Sequence, residues 1–219
     1  MIRVLLADDH AIVRDGVRCI LARTGDMTIA GEARDGGEVM TLVRNTDADV
    51  LVLDISMPGR SGIELIRLVK AEYPKLPILV FSLYDELQYA VRALRAGASG
   101  YLTKDNDSDT LVAVIRKLAA GGIYLSETVA EQMAREIMPA SETLPHTELS
   151  DREFQVFRLL AEGMSPSAIA ERLSLSIKTV STHKTHIQQK MGLTNTADLI
   201  HYAIRHQLLD ANESRRACR

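Results

Sequence analysis

Five polar residues of this chain stand at the ends of apolar runs. Asp8 and Asp9 follow IRVLLA (residues 2–7), Asp54 follows VLVL (50–53), Ser82 closes PILVFS (77–82) and Lys104 closes SGYLTK (99–104). If those runs are neighbouring strands, three carboxylates, a hydroxyl and an amine converge on one edge of a sheet. Clustered carboxylates repel one another and cannot all stay ionised unaided. A hard divalent cation relieves that repulsion, and Mg²⁺ in particular takes a few carboxylate oxygens, keeps several waters and leaves room for a phosphate. Lys104 supplies positive charge and Ser82 a hydrogen-bond donor for the other side of a phosphoryl group. Asp54 lies between the two sets and is the candidate acyl-phosphate acceptor, an aspartyl phosphate being a known kind of covalent intermediate. One Asp at a strand end is ordinarily a turn residue, and Asp8 or Asp9 alone would serve as a helix cap. The joint occurrence at four strand ends is what points to a site.

The elements that must position these residues follow from periodicity. Strands are expected at 2–7, 27–31, 50–53, 77–82 and 99–104. Helical patterns fall between and after them, at about 11–23, 37–45, 62–72, 86–96 and 108–120. Five strands alternating with helices predict an α/β, doubly wound parallel sheet with helices on both faces. The expected strand order is 2-1-3-4-5, and ligands of such sheets bind outside the carboxyl ends of the strands. VLVL, apolar without interruption, predicts a strand buried on both faces.

After Gly121-Gly122 the pattern changes. A short helix is expected at 126–138, ended by Pro139, and the polar stretch PASETLPHTE (139–148) reads as a linker. From Leu149 onward every pattern is helical. Ser150 with Glu153 has capping-box spacing, and Ser165-Pro166 reads as N-cap and first helical residue. A helix at 166–173, a turn at 174–176 and a helix at 177–191 have helix-turn-helix spacing.

Projected at 100° per residue, the second of these helices gathers Val180, Ile187 and Met191 on one side, with Ile177 and His183 at its edges. Lys178, Thr182, Thr185 and Gln189 lie opposite, flanked by Ser181 and His186. That exposed face carries no carboxylate from Ile177 to Met191, so it can enter a major groove without repelling phosphate. Lys178, Lys184 and Lys190 can reach backbone phosphates. His183 and His186, three apart, have no third metal ligand nearby, and His183 is read as a core-edge residue.

Bulk properties agree. The chain has 219 residues, no Trp, and no apolar run long enough to span a bilayer. The acidic pair in MIRVLLADD interrupts what an export signal would keep apolar. Cys19 and Cys218 read as two separate thiols in a reducing cytoplasm. Residues 1–148 carry 16 basic and 22 acidic side chains (net −6), and residues 149–219 carry 10 and 7 (net +3), as expected of two domains with different partners.

Residues 1–122 resemble the receiver domain of a two-component response regulator, through DDH (8–10), LDISMPGRSG (53–62), FS (81–82) and GYLTK (100–104). The resemblance implies that Asp8 and Asp9 serve a metal site. Asp9 and Asp54 would bind Mg²⁺ by side chain and Ser56 by its backbone carbonyl. Asp54 would accept phosphoryl from a sensor histidine kinase, Ser82 would bond a phosphoryl oxygen and Lys104 would pair with it. Tyr101 would rotate inward, changing the surface of the fourth helix, fifth strand and fifth helix. Two departures stand out. Asp105 follows the lysine where many receivers have proline, and Leu83 replaces a usually small residue, which would slow phosphoryl access without changing the role of Asp54.

Residues 149–209 resemble the LuxR-type DNA-binding domain, through LSDRE, LLAEGMSPSAIAERL, SIKTVSTHKTHIQQKMGL and ADLIHYAIRHQLL. Pro166-Ser167-Ala168 stands where the family often has Asn-Lys-Glu, altering the scaffold-helix surface. The helical projection makes Lys178, Ser181, Thr182, Lys184, Thr185, Gln189 and Lys190 the expected base and phosphate contacts, and the resemblance implies a dimer contact through the last helix at about 196–207. The two resemblances follow each other as in a NarL/FixJ-class response regulator. The expected organisation is a receiver at 1–122, a helical linker at 123–148, a helix-turn-helix domain at 149–212 and a polar tail at 213–219. The implied protein is a cytoplasmic transcription regulator. Its partners would be a sensor histidine kinase, double-stranded promoter DNA, RNA polymerase and, on activation, a second copy of itself.

Two rivals use the same residues differently. A phosphohydrolase would use Asp54 as nucleophile, but Ser56 occupies the position two residues on where its second acid belongs. A regulator that binds DNA without phosphorylation would make Asp54 dispensable.

Overall fold

Strands buried on both faces need helices above and below, and the chain supplies them in strict alternation. A computed structural model describes residues 1–57, 62–83, 87–137, 144–206 and 208–209. The turn at 58–61, the connector at 138–143 with Pro139, and the tail at 213–219 with Cys218 lie outside the described residues. The first unit contains β1 (Ile2–Ala7), α1 (Ala11–Ala22), β2 (Met27–Ala33), α2 (Gly36–Asn45), β3 (Val50–Leu53), α3 (Gly62–Glu72), β4 (Ile78–Ser82), α4 (Leu87–Arg95), β5 (Gly100–Thr103) and α5 (Ser108–Ala119). The sheet is wholly parallel, in the order β2-β1-β3-β4-β5.

All four residues of β3 are buried, as the VLVL run predicts. Alternation along the strands divides the core. Val4, Leu6, Val50, Val52, Leu79 and Phe81 pack in one cluster with Val17 and Leu21 of α1 and Leu111, Ile115 and Leu118 of α5. α2, α3 and α4 contact one another in sequence and bring their own buried rows, Val39 and Val43 of α2 and Ile63, Ile66 and Val69 of α3 among them. The helix starts are capped where the sequence offers an acceptor: Asp35 accepts from the amides of Gly37 and Glu38, and Asp107 from that of Thr110.

The stretch expected to be a linker begins as part of this unit. The Tyr124 amide donates to the Ser99 carbonyl at 2.9 Å and the residue makes a parallel bridge to Gly100. A Cβ on Gly100 would lie 3.2 Å from that of Tyr124 and 3.3 Å from its carbonyl oxygen, so any side chain there would press the two segments apart by a few tenths of an ångström. α6 (Glu127–Ile137) follows, and the chain divides within it into two compact units, Met1–Met133 and Ala134–Arg219.

The second unit is helical. After a 3₁₀ turn (Pro145–Glu148) come α7 (Asp151–Ala161), α8 (Pro166–Arg172), α9 (Ile177–Met191) and α10 (Thr196–Arg205). Ser150 and Glu153 form the predicted capping box, and Ser165 caps the Pro166 helix through the Ala168 amide. Ser174 takes a φ of 52° in the turn between α8 and α9, and Gly192, at φ 65°, ends α9 in the left-handed conformation that favours glycine. α7 touches α8, α9 and α10 around Phe154, Phe157, Ile169, Val180, Ile187, Leu199 and Ala203. No helix among the described residues is long and apolar enough to cross a membrane.

Candidate functional site

Strand register assembles the first site. Leu53 pairs with Val80, so Asp54 leaves β3 beside the end of β4, and Ser82 pairs with Thr103, one residue before Lys104. The Lys104 amide donates to the Ser82 carbonyl at 2.8 Å, and the Asp54 amide to the Ala7 carbonyl at 2.8 Å. All the sequence-predicted groups of this site therefore emerge from one end of one sheet.

Asp8 and Asp54 are buried and share one cation: Lys104 Nζ lies 2.6 Å from Asp8 Oδ2 and 2.5 Å from Asp54 Oδ2. Burial by itself pushes the Lys104 ammonium down. The Asp54 and Asp8 carboxylates outweigh it and hold the group above its ordinary value, so it stays charged. The remaining oxygens accept from backbone: Asp54 Oδ1 from the Ser56 amide and Asp8 Oδ1 from the His10 amide, each at 2.8 Å. His10 is the N-cap residue of α1 and makes no side-chain cap bond. Neither acid caps the helix.

Asp9 differs. Its Oδ1 is inaccessible to water and has no assigned hydrogen bond, and His10 Nδ1 lies 2.9 Å from it, an ion pair when the imidazole is protonated. Ser56 Oγ is likewise buried without a partner. Ligand atoms of Asp8, Asp9, His10 and Asp54 all lie within 4.8 Å of one another. Three neighbouring carboxylates, two of them sharing one ammonium, fit a hard divalent cation with oxygen ligands.

Sequence reasoning missed Arg14. Its side chain is buried, donates from Nη1 to the Asp8 carbonyl at 2.8 Å and from Nε to Glu32 at 3.2 Å, and so braces the Asp8-Asp9 turn. The signal was there: Arg14 occupies a core position of α1 in series with Val17 and Leu21. Ser82 is fully buried. Tyr101 is 8% exposed, already turned into the fold, where it lines a cavity of about 390 Å³ with Leu87, Ala90, Thr103, Tyr124 and Val129. Leu83 is exposed.

The second site is α9. Lys178, Ser181, Thr182, Thr185 and Gln189 are exposed, and Lys184 is half-buried. Two hydroxyls on the exposed face turn back onto the helix: Thr182 Oγ1 donates to the Lys178 carbonyl at 3.0 Å and Thr185 Oγ1 to the Ser181 carbonyl at 3.1 Å. Lys190, expected to reach a phosphate, is engaged within its own domain, with Nζ 2.6 Å from Glu153 Oε2. The same oxygen accepts from the amide and hydroxyl of Ser150, each at 2.8 Å. Burial raises the Glu153 carboxyl, but Lys190 and Ser150 outweigh it and hold it below the usual range. His183 is half-buried, as its place at the core edge predicts, and desolvation pushes its imidazole down.

The family described as "Response regulator receiver domain" matches residues 4–116, and that of "Bacterial regulatory proteins, luxR family" matches residues 147–203. The chain is a two-component response regulator, a receiver domain joined to a LuxR-type helix-turn-helix domain. It is 35% identical over 215 residues to the oxygen regulatory protein NreC of Staphylococcus carnosus, covering 95% of this chain and 99% of NreC. Among solved structures it is similar to RcsB from Salmonella enterica serovar Typhimurium bound to promoter rprA with the phosphomimetic BeF3⁻. That match has 30% identity and a TM-score of 0.64, and covers 92% of this chain and 98% of RcsB. A LuxR-family response regulator from Aurantimonas is 38% identical with a TM-score of 0.58, covering 62% of this chain and 97% of that one.

Proposed function

We propose that Asp54 is the phosphoacceptor through which a sensor histidine kinase controls promoter binding by this regulator. The observation that carries the reading is the shared ammonium. Asp54, at the end of the central strand, shares a single buried lysine with Asp8, and the Asp9 carboxylate lies beside them. A carboxylate oxygen of Asp54 attacks the phosphorus of a phosphohistidine, forming a P–O bond as the P–N bond breaks and the imidazole leaves. Mg²⁺ bound by Asp9, Asp54 and the Ser56 carbonyl, with Asp8 beside it, would supply charge neutralisation for the incoming phosphoryl oxygens. Lys104 then exchanges its Asp54 contact for a phosphoryl oxygen, and Ser82 offers its hydroxyl to another. Moving that ammonium is a local change that a two-state surface around Tyr101 can register.

The organisation that fits is a receiver whose repeating pattern spans 1–122, a connector at 123–148 that begins by covering β5 through Tyr124, a DNA-binding domain at 149–212 and a tail at 213–219. Activation pairs two copies through the receiver surface or α10, and the paired domains lay α9 in successive major grooves. Lys178 and Lys184 meet phosphates while Ser181, Thr182, Thr185 and Gln189 face base edges. Lys190 serves the backbone only if phosphate displaces Glu153. The regulator works in the cytoplasm with RNA polymerase as its downstream partner, and does not turn over small phosphate esters.

The test is to incubate wild type and Asp54→Asn with acetyl phosphate and Mg²⁺ and to follow intact mass and binding to duplexes selected from a random pool. Wild type gains one phosphoryl group and binds more tightly, and the variant does neither. Absence of phosphoryl mass on wild type removes the central claim, and equal gain by the variant removes the assignment to Asp54.

A further inference from the structure

Among the residues on the outward face of α9, Thr182 and Thr185 have a feature that polarity alone does not reveal. Each hydroxyl hydrogen is used within the helix, on the carbonyl four residues back. A threonine hydroxyl has one hydrogen to give. Thr182 and Thr185 therefore have none left for the acceptors that dominate the major-groove edges of guanine, adenine and thymine. What each Cβ still presents beyond the backbone is an oxygen that can only accept, and its γ-methyl group. The two residues are exposed, three apart and one helical step from each other on the same face. They put two methyl groups side by side where a polar pair is read from the sequence.

We infer that α9 recognises thymine through these methyl groups. Thr182 and Thr185 pack against the C5-methyl of thymine in the major groove, instead of hydrogen-bonding a base through their hydroxyls. The ligand feature is specific, because the C5-methyl is the one apolar group that a base pair shows in that groove. The back-bonded hydroxyls also fix χ1 of both residues, so the methyl groups are held in place before DNA arrives. Lys178 and Gln189 on the same face keep free chain length for phosphate and polar base edges. The inference rests on the DNA-binding reading of α9 and adds the chemistry by which it selects a sequence.

The experiment uses the full-length chain treated with acetyl phosphate and Mg²⁺, and duplexes it enriches from a random pool. Each thymine of one half-site is replaced in turn by deoxyuridine, which removes only the C5-methyl. Wild type should lose about fourfold in affinity at one or two positions, the value of one buried methyl-sized group. Thr182→Val and Thr185→Val, which keep the methyl and lose the hydroxyl, should bind as wild type does and remain sensitive to deoxyuridine. Thr182→Ser and Thr185→Ser, which keep the hydroxyl and lose the methyl, should lose about the same factor and become indifferent to deoxyuridine at the matching position. Indifference of the wild type to every deoxyuridine overturns the inference without calling on any variant. So does the reverse order, with serine tolerated and valine not. If no duplex is enriched at all, the DNA-binding reading falls first and the inference with it.

Discussion

Both domains contain a lysine against a buried carboxylate, and the two clusters are built to opposite ends. In the helix-turn-helix domain Glu153 meets one lysine, one amide and one hydroxyl, all on Oε2, so its charge is balanced and that oxygen is fully engaged, while Oε1 lies 3.8 Å from His186 Nδ1. In the receiver Lys104 is divided between Asp8 and Asp54, while Asp9 Oδ1 and Ser56 Oγ have no hydrogen-bond partner. A saturated cluster fixes a helix crossing. An undersatisfied one, with more negative charge than its single cation balances, is where the proposed cation and phosphoryl group would find partners. Burial of an ion pair thus says little about role until the acceptors around it have been counted.

The largest test of that contrast is Lys104→Met. It leaves Asp8 and Asp54 buried without their cation, which should cost about 3 kcal/mol in the receiver. Millimolar Mg²⁺ should restore more melting temperature to the variant than it adds to wild type. If Mg²⁺ leaves the variant unmoved, the acidic cluster is not the metal site. A second effect concerns the scaffold rather than the charges. A Cβ on Gly62 would sit 2.3 Å from Ile55 Cα, a backbone atom that cannot step aside. Gly62→Ala should therefore shift the chain that carries Asp54 and Ser56, lowering stability by about 2 kcal/mol and slowing phosphoryl incorporation. Unchanged incorporation would show that the site does not depend on this approach.

The smallest effect belongs to the saturated cluster. Glu153→Gln keeps the cap but gives up the Lys190 pair, at a cost of about 1 kcal/mol. Its signature is in pH. Glu153 and His183 both have folded-state values below their ordinary ones, so each contributes stability that is complete at neutral pH. The His183 share is lost as pH falls below about 6.5, and the Glu153 share below about 4.3, the unfolded values of the two groups. Thermal unfolding of the second unit should show both losses in wild type and only the first in Glu153→Gln. A single shared loss would mean that the two groups titrate together.

Much of this was legible in sequence for a simple reason. Burial on two faces forces a run such as VLVL, and strand ends in a parallel sheet meet at one edge, so Asp8, Asp9, Asp54, Ser82 and Lys104 could be brought together by topology alone. Helix boundaries fell within one or two residues where a cap marked them, as at Ser150 and Ser165. What could not be read depended on distances between elements. Asp8 and Asp9 are adjacent and of one type, yet only Asp8 pairs with Lys104, and the Arg14 bond to the Asp8 carbonyl that braces this turn has no mark in the local sequence. Helical phase put Lys190 with the basic residues of α9, but only the crossing of α7 and α9 decides that it belongs to Glu153, 37 residues away. The hydroxyls of Thr182 and Thr185 look like donors in a sequence and are already committed in the structure.

The bridge between Tyr124 and Gly100 has a consequence for solubility. β5 is the last strand of the sheet, and the outer row of amides and carbonyls of such an edge strand invites strand addition from another chain. Tyr124 occupies the start of that row and keeps strangers from it. A receiver trimmed at residue 122, where the strand-and-helix pattern ends, would lose this cover and offer its edge to a neighbour. The natural stopping point of the domain, judged by what it must hide, lies beyond the point where its repeating pattern stops.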